Sequence, residues 1–480
     1  MASIKHIFGF LAKMLKITSF YPHMLHVLFI FLFVLFQPFG QQKSDLQGNW
    51  SGFIEIGEDN LRINIIFSYS DGILDGSMDI PQQNAFNLPI EVLEVDGGKI
   101  DFQFQTGSGP AIFRGSILNG EPQITGEFEQ HGEKLPFTLQ KRPSNQGLRA
   151  GMPEKDILIE TRAGKVHGSL ILAEPESPIV ILLSGSGTQD RDENVAGFRV
   201  FRELSGLLYQ QGYSSFRYDD RGIGLSEGEI DATIHELGED LSDVMQYLKM
   251  NYSNRFSGFV LIGHSQGGMV AALMADRTDL NGIVFMAGPF LRGDKIIDEQ
   301  IRLLSAASGV TDDVLETNLQ FQQRIYEIVR TEGDWAEIER DLSERLEEQI
   351  NQLPEQQRAA LGDMSAFVQS QVNRQLSAAK SRWFKSMIEF ETAEKISAIT
   401  VPMLAVFGDK DMQVAAEPNR TKAEELRAAN NLDLEIVVIE DANHLFQEAN
   451  TGMPGEYGML ERKFSPQFFD TITNWLKKLD

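Results

Sequence analysis

Between Leu46 and Leu139 the chain alternates apolar and polar positions in short bursts. NWSGFIEI, LRINIIFSYS, GILDGSMDI, LPIEVLEVDG, KIDFQFQTG, AIFRGSIL, PQITGEFEQ and KLPFTLQKR follow one another. Turn formers such as Asp71-Gly72, Gly97-Gly98 and Asn119-Gly120 separate them. Partial period-two patterning at this spacing predicts a small antiparallel all-β sandwich or barrel. Its one histidine, His131, stands beside Gly132 in a turn-like position and suggests no chemistry. A structural or substrate-presenting role is expected for this region, with binding of a small ligand as the alternative.

After a linker-like stretch, KRPSNQGLRAGMPEKD, the grammar changes. DILIET, VHGSLIL, IVILLSG, SSFRYDD, GFVLIGH, GIVFMAG, MLAVFG and LEIVVIE read as strands, several of them continuously apolar. Such runs fit strands buried on both faces of a parallel sheet. Helical patterns such as AGFRVFRELSGLLYQQG and LGEDLSDVMQYLKMNY lie between them, which predicts an α/β sheet covered by helices on both sides. One interruption is long. From about residue 289 to 400 the apolar spacing is helical and the other positions are polar, as in WAEIERDLSERLEEQINQL. A helical insertion late in an α/β sheet reads as a cap; the alternative is a bundle remote from the active site. The expected organisation is an N-terminal segment 1–40, an all-β domain 41–142, a linker 143–155 and an α/β domain 156–480.

Lys5, Lys13 and Lys16 precede the apolar run MLHVLFIFLFVLF. A basic region before about a dozen apolar residues has signal-peptide proportions, short of the roughly 20 residues a spanning helix needs. Export to the periplasm or the outside is therefore expected, the alternative being an uncleaved, membrane-associated segment. The net charge of -26 changes the list of partners, because an acidic surface repels phosphate backbones and disfavours nucleic acid. The chain has no cysteine, which excludes disulfides, thiolate metal sites and a cysteine nucleophile.

The candidate chemistry centres on VLIGHSQGGMVAALMA. Gly263-His264-Ser265-Gln266-Gly267 is G-x-S-x-G between an apolar strand and a small-residue helix, the context of a nucleophile elbow. The glycines keep neighbouring chain clear of the turn, and the amides of the helix N-terminus face the reacting centre. A serine hydroxyl needs a base. His444 is the only histidine after Ser265, and it follows the last predicted strand. His264 is expected to pack under the elbow. The acid should follow strand MLAVFG; from Gly408 the turn G-x-x-D selects Asp411, with Asp409 as the alternative. The oxyanion donors are expected to be the amides of Gln266 and, in the loop LLSGSGTQDRDEN, Ser186. SGSG as a phosphate loop is disfavoured, since no Gly-Lys-Ser/Thr follows it.

LLSGSGTQDRD, FRYDDRGIGLSEG, IGHSQGG, RWFKSMIEFE, FGDKDMQV and NHLFQEANTGMPGEY, in this order, resemble the α/β-hydrolase superfamily over about Asp156 to Leu479. The likeness is to a branch of secreted bacterial hydrolases that looks related to dienelactone-hydrolase and prolyl-oligopeptidase-type enzymes. Thr188 departs from it, standing where proline is expected. The resemblance implies Ser265 as nucleophile, Asp411 as acid, His444 as base, and hydrolysis of carboxylic esters. No cofactor and no metal are implied. The partner is expected to be a small ester or a short peptide, so an aminopeptidase or oligopeptidase stands as the alternative activity, and a non-catalytic binding scaffold as a third. Asp219 and Arg221 are read as braces under the site, with a direct substrate role for Arg221 as the alternative. Trp383 and Phe384 are read as core where the cap rejoins the sheet, with lining of the acyl pocket as the alternative.

Overall fold

The computed structural model describes residues 46–479, apart from residue 47, the turns between the first eight strands, and residues 142–151, 174–176, 353–357 and 359–362. The N-terminal segment, His131 and most of the linker lie outside the described residues. Among the described residues no helix is long and apolar enough to cross a membrane.

Eight strands close into an antiparallel barrel: β1 (Gly48–Ile56), β2 (Asp59–Ser70), β3 (Ile73–Ile80), β4 (Ala85–Asp96), β5 (Lys99–Thr106), β6 (Gly109–Ile117), β7 (Gln123–Gln130) and β8 (Glu133–Lys141). Each strand pairs with the next, and β8 returns to β1 with Phe137 opposite Ile54. Alternation sends one set of side chains inward. In β5 these are Ile100, Phe102 and Phe104, which meet Phe113, Phe128 and Phe137 in one core. An eight-stranded barrel leaves room for little more than its own side chains. Here the rings of Phe102 and Phe113 stack at 4.6 Å and Phe137 meets Phe113 edge-on at 5.1 Å.

The second domain begins with β9 (Glu154–Thr161), two residues before the expected start. Its antiparallel pairing with β10 (Gly164–Ile171) runs to the Glu154–Ile171 position. There follow β11 (Ile179–Leu183), a small hairpin of β12 (Asn194–Val195) and β13 (Phe198–Arg199), α1 (Val200–Gln210), β14 (Ser215–Tyr218), α2 (Ile234–Tyr252), β15 (Phe259–His264), α3 (Gln266–Ala272) and β16 (Leu280–Met286). Among the described residues six helices of the insertion come next: α4 (Gly293–Ala307), α5 (Asp312–Thr331), α6 (Ala336–Asn351), α7 (Met364–Ala379), α8 (Arg382–Ile388) and α9 (Thr392–Ser397). The chain closes with β17 (Met403–Gly408), α10 (Ala416–Asn430), β18 (Leu434–Ile439) and α11 (Pro466–Leu476).

The sheet order is β18-β17-β16-β15-β11-β14-β10-β9. The six strands from β18 to β14 are parallel, and β10 and β9 extend that sheet antiparallel. The apolar runs are explained by two separate cores. Phe259 and Leu261 of β15 join the one that contains Leu241, Val244 and Met269 from α2 and α3. Val260 and Ile262 join the other, with Phe201 and Leu204 of α1 and Phe468 and Trp475 of α11. Both faces of the sheet are therefore buried under helices. This is an α/β-hydrolase fold carrying a helical cap and preceded by a β-barrel.

Candidate active site

Ser265 lies between β15 and α3 with φ 52° and ψ -120°, a conformation that L residues rarely adopt. Its N–H donates to the Met286 carbonyl at 2.9 Å and its carbonyl accepts from Gly268 N–H at 3.0 Å, so the turn is held from both sides. The flanking glycines are required by space. A Cβ on Gly263 would stand 2.2 Å from the Gly267 carbonyl oxygen, and one on Gly267 would stand 2.1 Å from that of Leu183. Strain held at one exposed hydroxyl by an over-determined turn is what a nucleophile elbow needs.

His444 and Asp411 meet. Asp411 Oδ2 lies 2.7 Å from His444 Nδ1, and both residues are 3% exposed. Asp411 Oδ1 accepts from the N–H groups of Gln413 and Val414 at 2.7 and 2.9 Å, which fixes the carboxylate as an acceptor. Asp409, the sequence alternative, is exposed. The loop bearing His444 is wound around Asn443, whose side-chain oxygen accepts from Leu445 and Gln447 N–H at 2.9 and 3.0 Å. Among the described residues neither the Ser265 hydroxyl nor His444 Nε2 has a hydrogen-bond partner. The structure thus brings the histidine and the acid together and leaves the serine–histidine bond unmade.

Ser265, Gln266 and Ser186 line one cavity of about 100 Å³. The Gln266 and Ser186 amides donate no hydrogen bond among the described residues, so both are free for an oxyanion. Gly185, beside Ser186, is packed so closely that an added Cβ would stand 3.0 Å from Glu193 Oε1 and 3.4 Å from Ser265 Cβ. The cap forms the opposite wall through Ile296, Ile297, Gln300, Ala378, Trp383, Phe384 and Met387, which sets aside the remote-bundle alternative. Phe384, 1% exposed, belongs to the cap core with Trp383 packed against it, as expected, and both also line this cavity, the alternative. The reason lies in how α8 docks. The N–H groups of Arg382 and Trp383 both bond the Asp231 carboxylate at 2.9 Å, and the Arg382 guanidinium reaches Glu236 at 2.6 Å. That turns the indole inward, where Nε1 donates to Gln266 Oε1 at 2.6 Å.

The loop leading to Ser186 is held by charge. Arg191 lies along Asp219 in a bidentate pair at 3.0 and 2.6 Å and also contacts His167. Asp192 accepts from Arg217 at 3.0 Å, and Ser184 Oγ donates to Asp220 at 2.8 Å. Burial, with help from the charges of Glu193 and Asp219, pushes the Asp220 carboxyl up to about 8 against its hydrogen bonds from Ser184 and Gln189. Arg221 pairs with Asp240 and with the Glu236 carbonyl, bracing α2. The reading of Asp219 and Arg221 as braces accords with these bonds. Sequence reasoning missed Glu193, whose carboxylate meets His264 Nδ1 at 2.7 Å. The signal was present as an unbroken charged run, Asp190 to Glu193, directly after SGSG.

Residues 198–449 match the family described as serine aminopeptidase, S33. The chain is 23% identical over 363 residues to Esterase EstD of Thermotoga maritima, covering 75% of each protein. Among solved structures it is similar to the Pyrococcus furiosus esterase Pf2001, at 17% identity and TM-score 0.40, over 70% of this chain and 96% of that one. It is also similar to a thermophilic esterase from Thermogutta terrifontis, at 20% identity and TM-score 0.38, over 68% and 99%.

Proposed function

The chain belongs to the serine aminopeptidase, S33 family and is a hydrolase; from that premise we propose that it cleaves carboxylic esters of small substrates through an acyl-enzyme on Ser265. The observation that carries this reading is the lining of the cavity. None of the side chains lining it is ionisable, the proposed base His444 standing outside that lining. An aminopeptidase must hold the ammonium group of its substrate, and an ammonium buried without a carboxylate is costly. Side chains of Ile296, Ile297, Trp383, Phe384 and Met387 suit an apolar acyl group instead. The esterase activity named for the Thermotoga maritima relative agrees.

In this mechanism a bound ester closes the gap between Ser265 and His444. His444 Nε2 takes the hydroxyl proton as Oγ attacks the carbonyl carbon. Asp411 keeps Nδ1 protonated and stabilises the imidazolium. The amides of Gln266 and Ser186 receive the oxyanion. His444 then protonates the leaving alcohol, and later draws a proton from the water that releases the acid. The chemistry needs no metal or organic cofactor.

The test pairs p-nitrophenyl acetate, butyrate and octanoate with an aminoacyl-p-nitroanilide, on wild type and Ser265→Ala. Ester turnover that falls by about 10⁵-fold or more in the variant is expected. Anilide turnover of comparable efficiency would overturn the ester reading in favour of the peptidase. We further propose, from the N-terminal basic and apolar pattern alone, that the protein is exported. Growth of the source cells followed by fractionation would test it, and recovery only with the cytosol would refute it.

A further inference from the structure

Glu193 and His264 take no part in the proton transfers above, yet they are 1% and 2% exposed and directly behind the nucleophile. His264 Nε2 faces the main-chain carbonyl of His444 at 3.0 Å. A carbonyl only accepts, so Nε2 carries a proton. Nδ1 faces Glu193 Oε1 at 2.7 Å, and that oxygen already accepts from Gly185 N–H at 2.7 Å. The other Glu193 oxygen is buried and has no hydrogen-bond partner among the described residues. A buried carboxylate left half-satisfied is costly and calls for a reason. Its backbone is also held in the left-handed region, at φ 48°, with its carbonyl accepting from Val200 N–H at the start of α1.

We propose that Glu193 and His264 are positioning residues: a buried ion pair that locks the oxyanion loop, the elbow and the base loop to one another. Glu193 holds Gly185, the neighbour of Ser186. His264 is the neighbour of Ser265 and holds the backbone of His444. One carboxylate–imidazolium contact therefore sets the relative position of donor, nucleophile and base, to which a transition state is sensitive at the ångström scale. The inference rests on His444 acting as the base.

The charge on His264 follows from its surroundings. Burial opposes it, but the charge of Glu193 and its hydrogen bond outweigh burial and hold the imidazole above the ordinary histidine range. The groups around it are Glu193, Asp411 and His444, with Asp220 beyond Glu193. The His264 and His444 ring centroids are 4.7 Å apart, so the pair stands directly beside the base.

Glu193→Gln tests this in the full chain. It keeps an acceptor for Gly185 and removes the charge. The expected result with p-nitrophenyl butyrate is a kcat lower by roughly 10- to 100-fold with KM within about twofold. A merely structural role would show as lost stability or a raised KM, not as a fall in kcat alone. In wild type, the His264 ring followed by nitrogen NMR should stay doubly protonated above the ordinary histidine range. A folded Glu193→Gln with kcat unchanged would overturn the proposal. So would a wild-type His264 that titrates at or below the ordinary value, and this measurement decides if the variant does not fold. It also decides if wild type is silent on esters, in which case only the ester reading falls.

Discussion

In the barrel, Phe102, Phe113 and Phe137 fill the interior by contact alone, with centroids 4.6 to 6.3 Å apart. In the loop from Ser184 to Glu193, consecutive charged residues reach different elements instead. Arg191 holds Asp219 after β14, Asp192 holds Arg217 within it, and Glu193 holds His264 at the end of β15. Ring packing is non-directional and forgiving of small shifts. Charge-assisted hydrogen bonds are costly to bury but fix direction as well as distance. The barrel has to stay filled; the loop has to hold particular backbone amides in place.

The largest effect is expected at the acid. Asp411→Asn preserves acceptors for Gln413 and Val414 but presents the wrong partner to His444 Nδ1. Ester kcat should fall by about 10⁴-fold with Tm little changed. Activity within tenfold of wild type would remove Asp411 from the proposed triad. The converse test lies in the barrel. Phe113→Ala empties the centre of the ring cluster and should cost about 3–5 kcal/mol of barrel stability by denaturant unfolding. Ester turnover of the folded protein should not change. A matching loss of kcat would show that the barrel takes part in the site.

A third test concerns the cost of buried charge. In the folded protein Asp220 keeps its proton up to about 8, whereas the unfolded chain releases it near the ordinary 3.8. Between those values the folded state binds the extra proton, so this group's stabilising contribution is lost as pH rises through that window. Asp220→Asn cannot ionise. Its stability relative to wild type should therefore improve from pH 5 to pH 8, measured as the urea midpoint at each. Parallel midpoints for the two proteins would contradict the burial argument.

How far the sequence showed all this depends on the range of the interactions. The central strands of the sheet were visible because they bury residues on both faces and so read as apolar runs, as in IVILL of β11, whereas edge strand β9 buries only Ile157 and Ile159. The barrel strands were visible by alternation, but closure was not. The pairing of Trp50 with Lys141 joins residues ninety-one positions apart, and no local pattern records it. The meeting of Asp411 with His444 was legible because motif spacing and chain order constrain it. The wall of the cavity was not. Periodicity placed a helical insertion over about residues 289–400 but could not tell that Asp231 would turn Trp383 toward Gln266. Glu193 was hidden for a similar reason, since its partner lies seventy-one residues away.

The smallest predicted effect separates the two ways in which the cap is attached. At its rim, Arg382 and Glu236 form an ion pair whose side chains are 49% and 28% exposed, and exposed pairs contribute little. Inside, the Trp383 indole donates to Gln266 Oε1, on the residue whose amide is proposed to receive the oxyanion. Trp383→Phe keeps an aromatic, though smaller, wall and removes that donor. Gln266 would lose about 1 kcal/mol of hydrogen bonding and its amide group could swing into the cavity. Substrate must then displace it, so KM for p-nitrophenyl butyrate should rise about threefold to tenfold while kcat falls less. Arg382→Met should leave both within about twofold, as expected for a solvent-exposed pair. If the order were reversed, with the rim pair governing KM and the indole without effect, the cap would be held by charge, as the oxyanion loop is.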